Sequence, residues 1–169
     1  SCKNDKPGLS IQNQQVEMRS NPFGLDVQQP RLSWQIASAV NNVQQTAYQI
    51  IVAKSAGDLE NENDLSWNSG KVQSGASVLI RYKGQPLEMG ICYYWKVKVW
   101  TNKGVTPWSE INNWTMALLD AGEWKASWIG LDSLTNPGEN LKDSVNTRLS
   151  ARYLRKEFNL NDDIQSAKL

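Results

Sequence analysis

The eight residues Tyr-Tyr-Trp-Lys-Val-Lys-Val-Trp at positions 93–100 constrain the fold more than any other stretch of this chain. Successive side chains of a β-strand point to opposite faces, so Tyr93, Trp95, Val97 and Val99 would form one apolar face. The other face would carry Tyr94, Lys96, Lys98 and Trp100. A continuous apolar face opposite a cationic one predicts a long strand that packs one side on a core, with Trp95 inside and Tyr93 near a corner.

Two other segments, residues 30–36 and 47–53, alternate in the same manner. Their inward side chains are expected to be Leu32, Trp34 and Ile36 in the first segment, and Tyr48, Ile50 and Val52 in the second. Shorter β-rich runs occur at residues 9–16, 65–72, 77–82 and 113–118. About seven short strands with regular turn residues and no long helical pattern predict an all-β, antiparallel β-sandwich of the fibronectin III/immunoglobulin-like type.

Two connections carry more specific expectations. The segment at residues 19–26 contains proline and glycine, which break regular structure, and is expected to be a turn-rich linker. The acidic segment at residues 56–64 is expected to be mostly loop, with a single helical turn near Asp58 and Leu59.

The composition divides the chain into three parts. Residues 1–7 are polar and are expected to form a disordered tail, and residues 8–119 contain the strands of the predicted sandwich. Residues 120–169 begin with an aromatic segment and end with an alternating run at 151–160, which needs partner strands that do not follow. We therefore expect residues 120–169 to be the start of an incomplete, truncated second β domain.

The charge pattern argues against two classes of partner. Lysine and arginine number 18 against 17 aspartates and glutamates, which gives a net charge of +1 without a long run of one sign. No basic stripe is available to displace counterions from phosphates, so we expect no nucleic-acid partner. No apolar run approaches the roughly 20 residues needed to span a bilayer, so we expect no membrane-spanning segment.

Residues that perform chemistry are scarce. The chain has no histidine, which excludes histidine-dependent nucleophiles and histidine metal ligands. Its acidic residues are scattered, and the run at 58–64 lacks the glycine and the final glutamate of a calcium-binding loop. We therefore predict no catalytic, cofactor-binding or metal-binding residue.

Tryptophan is unusually frequent, with eight residues. A sandwich core needs only one or two, so Trp67, Trp100 and Trp108 are candidates for a surface role. They would either pack against another module or stack on sugar rings. We expect the aliphatic stems of Lys96 and Lys98 to cover part of the Trp100 ring, and this face to contact another module.

Several phrases occur in a distinctive order along the chain. They are Asn-Pro-Phe-Gly-Leu-Asp (21–26), Pro-Arg-Leu-Ser-Trp-Gln (30–35), Gln-Thr-Ala-Tyr-Gln-Ile-Ile-Val-Ala (45–53), Trp-Asn-Ser-Gly-Lys-Val (67–72), the segment 93–100, Trp-Ser-Glu (108–110) and Trp-Ile-Gly (128–130). This series resembles the N-terminal region of bacterial α-L-rhamnosidases of glycoside hydrolase family seventy-eight. Tyr-Leu-Arg-Lys-Glu-Phe at 153–158 resembles the opening of that family's next β-sandwich module.

The resemblance implies a non-catalytic role for this chain. The family hydrolyses terminal α-L-rhamnosyl bonds with inversion, using carboxylates of a large (α/α)-barrel far C-terminal to this region. The expected role here is a structural scaffold whose partners are later modules of the same parent chain. Two alternatives stay open: a carbohydrate-binding module that uses exposed tryptophans, and an adhesion-type domain with a protein partner.

The two cysteines, Cys2 and Cys92, bear on cellular location. Cys92 precedes the long strand and is expected to be a small buried side chain. Cys2, followed by a polar stretch, resembles the lipid-modified cysteine of bacterial lipoproteins, and a Cys2–Cys92 disulfide is an alternative. With lipidation at Cys2 as an N-terminal anchor, the protein is expected to be exported and to be periplasmic, outer-membrane-anchored or extracellular.

Overall fold

A computed structural model describes residues 8–118, together with Gly122, Arg155 and Glu157. The chain divides into two units, Ser1–Trp124 and Lys125–Leu169. The predicted tail at 1–7 lies outside the described residues. So does the predicted second β domain at 120–169, apart from the three residues named above. The predictions made for these two regions stay predictions.

Nine strands and one short helix make up the described part of the chain. They are β1 (Ser10–Val16), β2 (Arg31–Ala37), β3 (Gln45–Ala53), α1 (Ala56–Asn61), β4 (Leu65–Asn68), β5 (Val72–Gln73), β6 (Ile80–Arg81), β7 (Cys92–Thr101), β8 (Gly104–Val105) and β9 (Asn112–Thr115). A three-stranded sheet has the order β1-β2-β6, and a six-stranded sheet has the order β4-β3-β7-β8. In the larger sheet β5 also pairs with β3, and β9 with β7. All these pairings are antiparallel, which confirms the predicted fold class.

The core lies between the two sheets, where the alternation of the sequence placed it. The inward residues of β7 (Tyr93, Trp95, Val97 and Val99) are each at most 1% exposed. They pack with the predicted inward side chains of β2 and β3, which confirms those assignments. Trp34 of the smaller sheet and Trp95 of the larger sheet are both buried in this cluster.

Gln45, the first residue of β3, links the two sheets through its side chain. Its amide oxygen accepts a hydrogen bond from the indole nitrogen of Trp34 at 3.1 Å. Its amide nitrogen donates to the carbonyl oxygens of Ser74 at 3.1 Å and Ala76 at 2.6 Å. A single side chain therefore joins β2, β3 and the segment that leads into β6.

The larger sheet carries a second, smaller cluster on its outer face. Ile51 and Ala53 of β3 and Leu59 of α1 are fully buried there. Ser55 caps the N-terminus of the helix, because its hydroxyl oxygen accepts a hydrogen bond from the Asp58 N–H at 3.0 Å. The helical turn expected near Asp58 and Leu59 is thus confirmed, and it covers one end of the outer face.

The segment at residues 19–26 is more than a linker. The Leu25 N–H donates to the Thr115 carbonyl at 2.9 Å, and the Ala117 N–H donates to the Leu25 carbonyl at 2.7 Å. The Thr115 N–H donates to the carbonyl of Pro22 at 3.0 Å. Proline lacks an N–H but keeps its carbonyl, so it can still accept in such a pairing. The linker expectation is corrected: this segment runs parallel to β9 and borders the larger sheet.

Candidate functional site

The segment after β8 runs beside β7 and uses hydroxyl groups to complete the pairing. The Ser109 N–H donates to the Val97 carbonyl at 2.8 Å, and the Thr106 N–H donates to the Val99 carbonyl at 2.9 Å. In return, the Val97 N–H donates to Ser109 Oγ and the Val99 N–H to Thr106 Oγ1, both at 3.0 Å. These bonds place Trp108, between Thr106 and Ser109, next to the outer face of β7.

Two lysines of β7 lie over the ring of Trp108. The Nζ atoms of Lys96 and Lys98 are 5.0 Å and 4.7 Å from its centroid. Lys96 is buried even though it belongs to the outer face of the sheet. Trp108 also packs against the smaller hydrophobic cluster of Ile51, Ala53 and Leu59. We call Lys96, Lys98 and Trp108 the lysine–tryptophan face. Within the described ranges, neither lysine forms a salt bridge.

Trp100 has a cationic partner that was not expected. Lys71 places its Nζ 4.7 Å from the centroid of the Trp100 ring, and the ammonium groups of Lys96 and Lys98 lie over Trp108 instead. Lys71 immediately precedes β5, which pairs with β3 and not with β7, so its long side chain reaches Trp100 across β3. The expected covering of Trp100 by the aliphatic stems of Lys96 and Lys98 stays a prediction.

Trp67 lies on the opposite side of the larger sheet. It pairs with Val52, which points into the main core, and its ring meets Tyr82 edge-on at 5.2 Å. Trp100 and Trp108 are on the outer face, so the three candidate tryptophans do not form one platform. A sugar-stacking or interface role for each of them stays a prediction.

A cleft of about 600 Å³ opens where the edge of the larger sheet faces β6 of the smaller one. Tyr48 and Trp67 contribute aromatic walls, and Asn68, Arg81 and Lys83 contribute polar groups. No aspartate or glutamate lines it. The cleft thus combines aromatic surface with hydrogen-bond donors and two positive charges.

Tyr48 is the most buried polar residue of this cleft. It is 8% exposed, and its ring is held edge-on against Trp34 at 5.2 Å. Its hydroxyl makes no hydrogen bond to any residue that the structure describes. Burial raises the pKa of this hydroxyl, so it is a neutral donor at physiological pH.

Sequence reasoning did not single out the cleft. Tyr48 was predicted only as a core residue, and Arg81 and Lys83 were not candidates. Arg81 and Lys83 lie more than 30 positions after Tyr48 in the sequence, and nothing local in the sequence marks them as its neighbours. Trp67 is the one candidate that the cleft retains.

Two other tyrosine hydroxyls have structural partners. Tyr93 Oη accepts from the Glu88 N–H at 2.8 Å, which confirms its expected place near a corner. Tyr82 Oη donates to the Gln85 carbonyl at 2.9 Å, and burial raises its pKa. These hydroxyls secure the chain before β7 and are not available for chemistry.

The remaining predictions concern cysteines, metals and membranes. Cys92 is half-buried and not buried as expected, and it forms no disulfide with any residue that the structure describes. Cys2 lies outside the described residues, and both its lipidation and its pairing with Cys92 stay predictions. Over residues 8–118, no group of three or more acidic or cysteine side chains could hold a metal ion. In the same part of the chain, no helix combines the length and apolarity needed to cross a membrane.

Comparison with known proteins gives relatives of one kind. An α-L-rhamnosidase of Streptomyces avermitilis is 37% identical over 173 residues, covering 95% of this chain and 17% of the relative. An α-L-rhamnosidase of Formosa agariphila is 37% identical over 150 residues, covering 88% and 16%. One from Alteromonas sp. is 32% identical over 170 residues, covering 99% and 18%. The chain therefore spans less than a fifth of the length of these relatives.

Solved structures agree with this similarity. The crystal structure of Streptomyces avermitilis α-L-rhamnosidase complexed with L-rhamnose matches with a TM-score of 0.69 and 42% identity, over 73% of this chain and 12% of that one. The α-L-rhamnosidase from Dictyoglumus thermophilum matches with a TM-score of 0.68 and 35% identity, over 72% and 14%. The family model described as Rha78A-like, N-terminal immunoglobulin domain matches residues 11–120, well over half of the chain. The chain therefore belongs to the family of Rha78A-like, N-terminal immunoglobulin domains.

Proposed function

We propose that this chain is the non-catalytic, immunoglobulin-like scaffold module of an α-L-rhamnosidase, whose parent protein hydrolyses terminal α-L-rhamnosyl bonds with inversion. The observation that carries the proposal is the match itself: an N-terminal immunoglobulin domain accounts for residues 11–120, and the chain as a whole spans less than a fifth of the length of these enzymes. Inverting hydrolysis needs two carboxyl groups about 6.5–9.5 Å apart across a sugar. The cleft described above has no carboxylate in its lining.

The purified chain tests the non-catalytic role. It is incubated with an aryl α-L-rhamnoside, and release of the chromogenic alcohol is followed over several chain concentrations. We expect no release above the uncatalysed rate. Turnover that rises in proportion to chain concentration and co-purifies with the chain through a second column would contradict the proposal.

The scaffold role would act through the lysine–tryptophan face. Lys96 is 7% exposed and Lys98 is half-buried, and both place their ammonium groups above one indole ring. A cation–π contact contributes only about 0.5–2 kcal/mol. A carboxylate placed beside the two ammonium groups would therefore add to their stabilisation. We propose that another module of the parent chain places an acidic side chain here.

A charge reversal at the exposed edge of this face tests the contact. Lys98→Glu should lower the melting temperature of the intact parent protein by several degrees more than it lowers that of the isolated chain. Lys103→Glu, in the exposed β7–β8 turn, is the matched control and should affect both equally. Equal shifts of the chain and the parent with Lys98→Glu would count against this surface as the contact.

The rival function, a carbohydrate-binding module, has less support in the form first considered. It needs a row of exposed aromatic rings, and Trp67 lies on the other side of the sheet from Trp100 and Trp108. All three are half-buried. Export of the protein and a lipid anchor at Cys2 remain predictions from the sequence.

A further inference from the structure

We propose that the cleft between β4–β5 and β6 is a binding site for an acidic saccharide, meaning a sugar unit that carries a carboxylate or a sulfate group. This inference goes beyond the scaffold function and does not depend on it. Its size, about 600 Å³, falls within the range of roughly 300–1,000 Å³ typical of small-ligand sites.

The aromatic wall suits the apolar face of a sugar ring. Trp67 is half-buried and lines the cleft, and its position is fixed by the edge-on contact with Tyr82 and by the pairing of β4 with β3. A ring that is already held in place loses little conformational freedom on binding, which favours recognition. Val72 and Ile80 add aliphatic surface to the same cleft.

The hydroxyl of Tyr48 supplies a donor for a sugar oxygen. It lies on a residue that is 92% buried, and it has no hydrogen-bond partner in the described part of the chain, although other buried tyrosines do. The hydroxyl oxygen is not among the buried unpartnered polar atoms of the described residues, so it is open to the cleft. A ligand hydroxyl or ring oxygen could take the place of the water that it otherwise contacts.

The charge of the cleft selects an anionic ligand. Arg81 and Lys83 both line it, and no acidic side chain does. Glu17, a carboxylate that Arg81 influences through its charge, already accepts hydrogen bonds from Arg31 at both of its oxygens. Neither Arg81 nor Lys83 has a salt bridge within residues 8–118. A guanidinium beside a cleft fits the planar, two-oxygen geometry of a carboxylate or sulfate group.

The backbone at the cleft mouth is also unusual. Leu79 lies in the left-handed region with φ +56°, and it is 40% exposed. Its N–H donates to the Ser33 hydroxyl at 2.9 Å, so the conformation is maintained by the smaller sheet. Seven other non-glycine residues of the described chain also have positive φ, so this conformation shapes the cleft mouth but does not by itself mark a ligand site.

Titration of the purified chain tests the proposal. The acidic probes are trigalacturonate and a sulfated neocarrabiose, and each has a neutral counterpart, the methyl ester and the desulfated disaccharide. We expect calorimetry to show saturable binding of at least one acidic probe, with Kd of about 1 mM or tighter, and at least tenfold weaker binding of its neutral counterpart. Amide NMR shifts should concentrate at residues 67–72 and 79–83.

Variants separate the cleft from the rest of the surface. Arg81→Gln should weaken binding by about tenfold, because a hydrogen bond to a charged group is lost. Tyr48→Phe should weaken it by about threefold to tenfold without lowering the melting temperature, because this hydroxyl has no partner within the described protein. Lys103→Gln removes the same charge outside the cleft and should leave the affinity unchanged.

Several results would overturn the proposal. These are no binding of either acidic probe, equal binding of the neutral counterparts, or NMR shifts located away from the cleft. Loss of affinity with Lys103→Gln equal to that with Arg81→Gln would show non-specific attraction. Full competition by millimolar inorganic sulfate would show an anion site that does not recognise the sugar.

Discussion

Gly84 occupies a position where the chain before β7 touches β4. A Cβ atom there would lie 2.4 Å from Tyr82 Oη, 2.5 Å from the Ser66 carbonyl oxygen and 2.5 Å from the Cβ of Trp67. Two of these neighbours are a buried hydroxyl and a backbone atom, which cannot move aside cheaply. Glycine is required here because there is no space for a Cβ atom.

We therefore expect Gly84→Ala to lower the free energy of unfolding by about 1–3 kcal/mol, the usual cost of overpacking. Urea unfolding followed by tryptophan fluorescence measures it. Gly57→Ala is the control: its nearest neighbour is 4.0 Å away, and alanine favours the helix, so stability should be unchanged or higher. An unchanged midpoint with Gly84→Ala would mean that the turn moves freely.

Glu17 and Arg31 form the best-connected ion pair of the described residues. The carboxylate accepts from the Arg31 backbone N–H at 2.7 Å and from the guanidinium at 2.6–3.1 Å. These bonds from Arg31 hold the pKa of Glu17 below its ordinary value of 4.5. A lowered carboxyl pKa stabilises the folded state fully above pH 4.5, and this contribution is lost as the pH falls through the folded value.

Glu17→Gln should therefore lower the urea midpoint at pH 7, and the difference from the unaltered chain should shrink as the pH falls below 4.5. The comparison needs urea titrations at pH 7 and at three or four pH values below 4.5. A gap that stays constant or widens at low pH would show that the carboxylate charge is not the stabilising feature.

Single residues show where sequence reasoning succeeds. Tyr93, Trp95 and Trp34 were placed correctly because alternation along one strand decides which face is buried. The partner of Trp108 could not be derived, because it depends on a segment that turns back and meets β7 through hydroxyl groups. Alternation shows which side chains of one strand share a face. It does not show which side chains from other segments pack on that face.

At the scale of elements, helix α1 illustrates how a short helix is secured. Its six residues are fewer than an isolated helix needs. Ser55 supplies a cap at one end, and Leu59 is fully buried against β3. The capping hydroxyl also donates to the Asp58 carboxylate at 2.5 Å. Both local bonding and packing are therefore needed.

Removal of the cap should have a measurable effect. Ser55→Ala is expected to cost about 1 kcal/mol, because the Asp58 N–H loses its acceptor. Ser20→Ala, at an exposed position, serves as the control and should change stability little. The free energy of unfolding in urea gives both values, and equal effects of the two substitutions would contradict the capping role.

Element boundaries were predicted well only for long strands. The run at residues 77–82 was expected to be one strand, and only Ile80 and Arg81 pair as such. Leu79 takes a positive φ and bonds to a side chain, so the alternation is broken within the run. A two-residue strand forms only where a neighbouring strand supplies hydrogen-bond partners, and the local sequence pattern does not show where that happens.

At the scale of the whole molecule, Trp34 and Gln45 connect the two sheets. Trp34 is 1% exposed in the main core and donates to Gln45 across the sandwich. Trp34→Ala should cost about 3–5 kcal/mol, as is usual for a large core aromatic. Trp34→Phe keeps most of the volume and should cost less.

Urea unfolding of both variants, monitored by circular dichroism, tests this expectation. The two sheets should unfold in one transition, because their contact is the core itself. A loss below about 1 kcal/mol for Trp34→Ala would place this residue outside the energetic centre of the fold. Two separated transitions would show that the sheets are independent.

The burial of β3 on both faces has a consequence for how this sheet finds its alignment. Ile50 and Val52 point to one cluster while Ile51 and Ala53 point to the other, so a shift by one residue exchanges two hydrophobic sets. The usual penalty against slippage, apolar groups exposed to water, is thus weak here. The correct strand register must therefore be selected by the volumes of the side chains in each cluster and by a specific hydrogen bond, in which the Ser69 hydroxyl accepts from the Ile50 N–H at 2.8 Å. Variation at such serine positions would therefore act on pairing fidelity and aggregation before it acts on the finished fold.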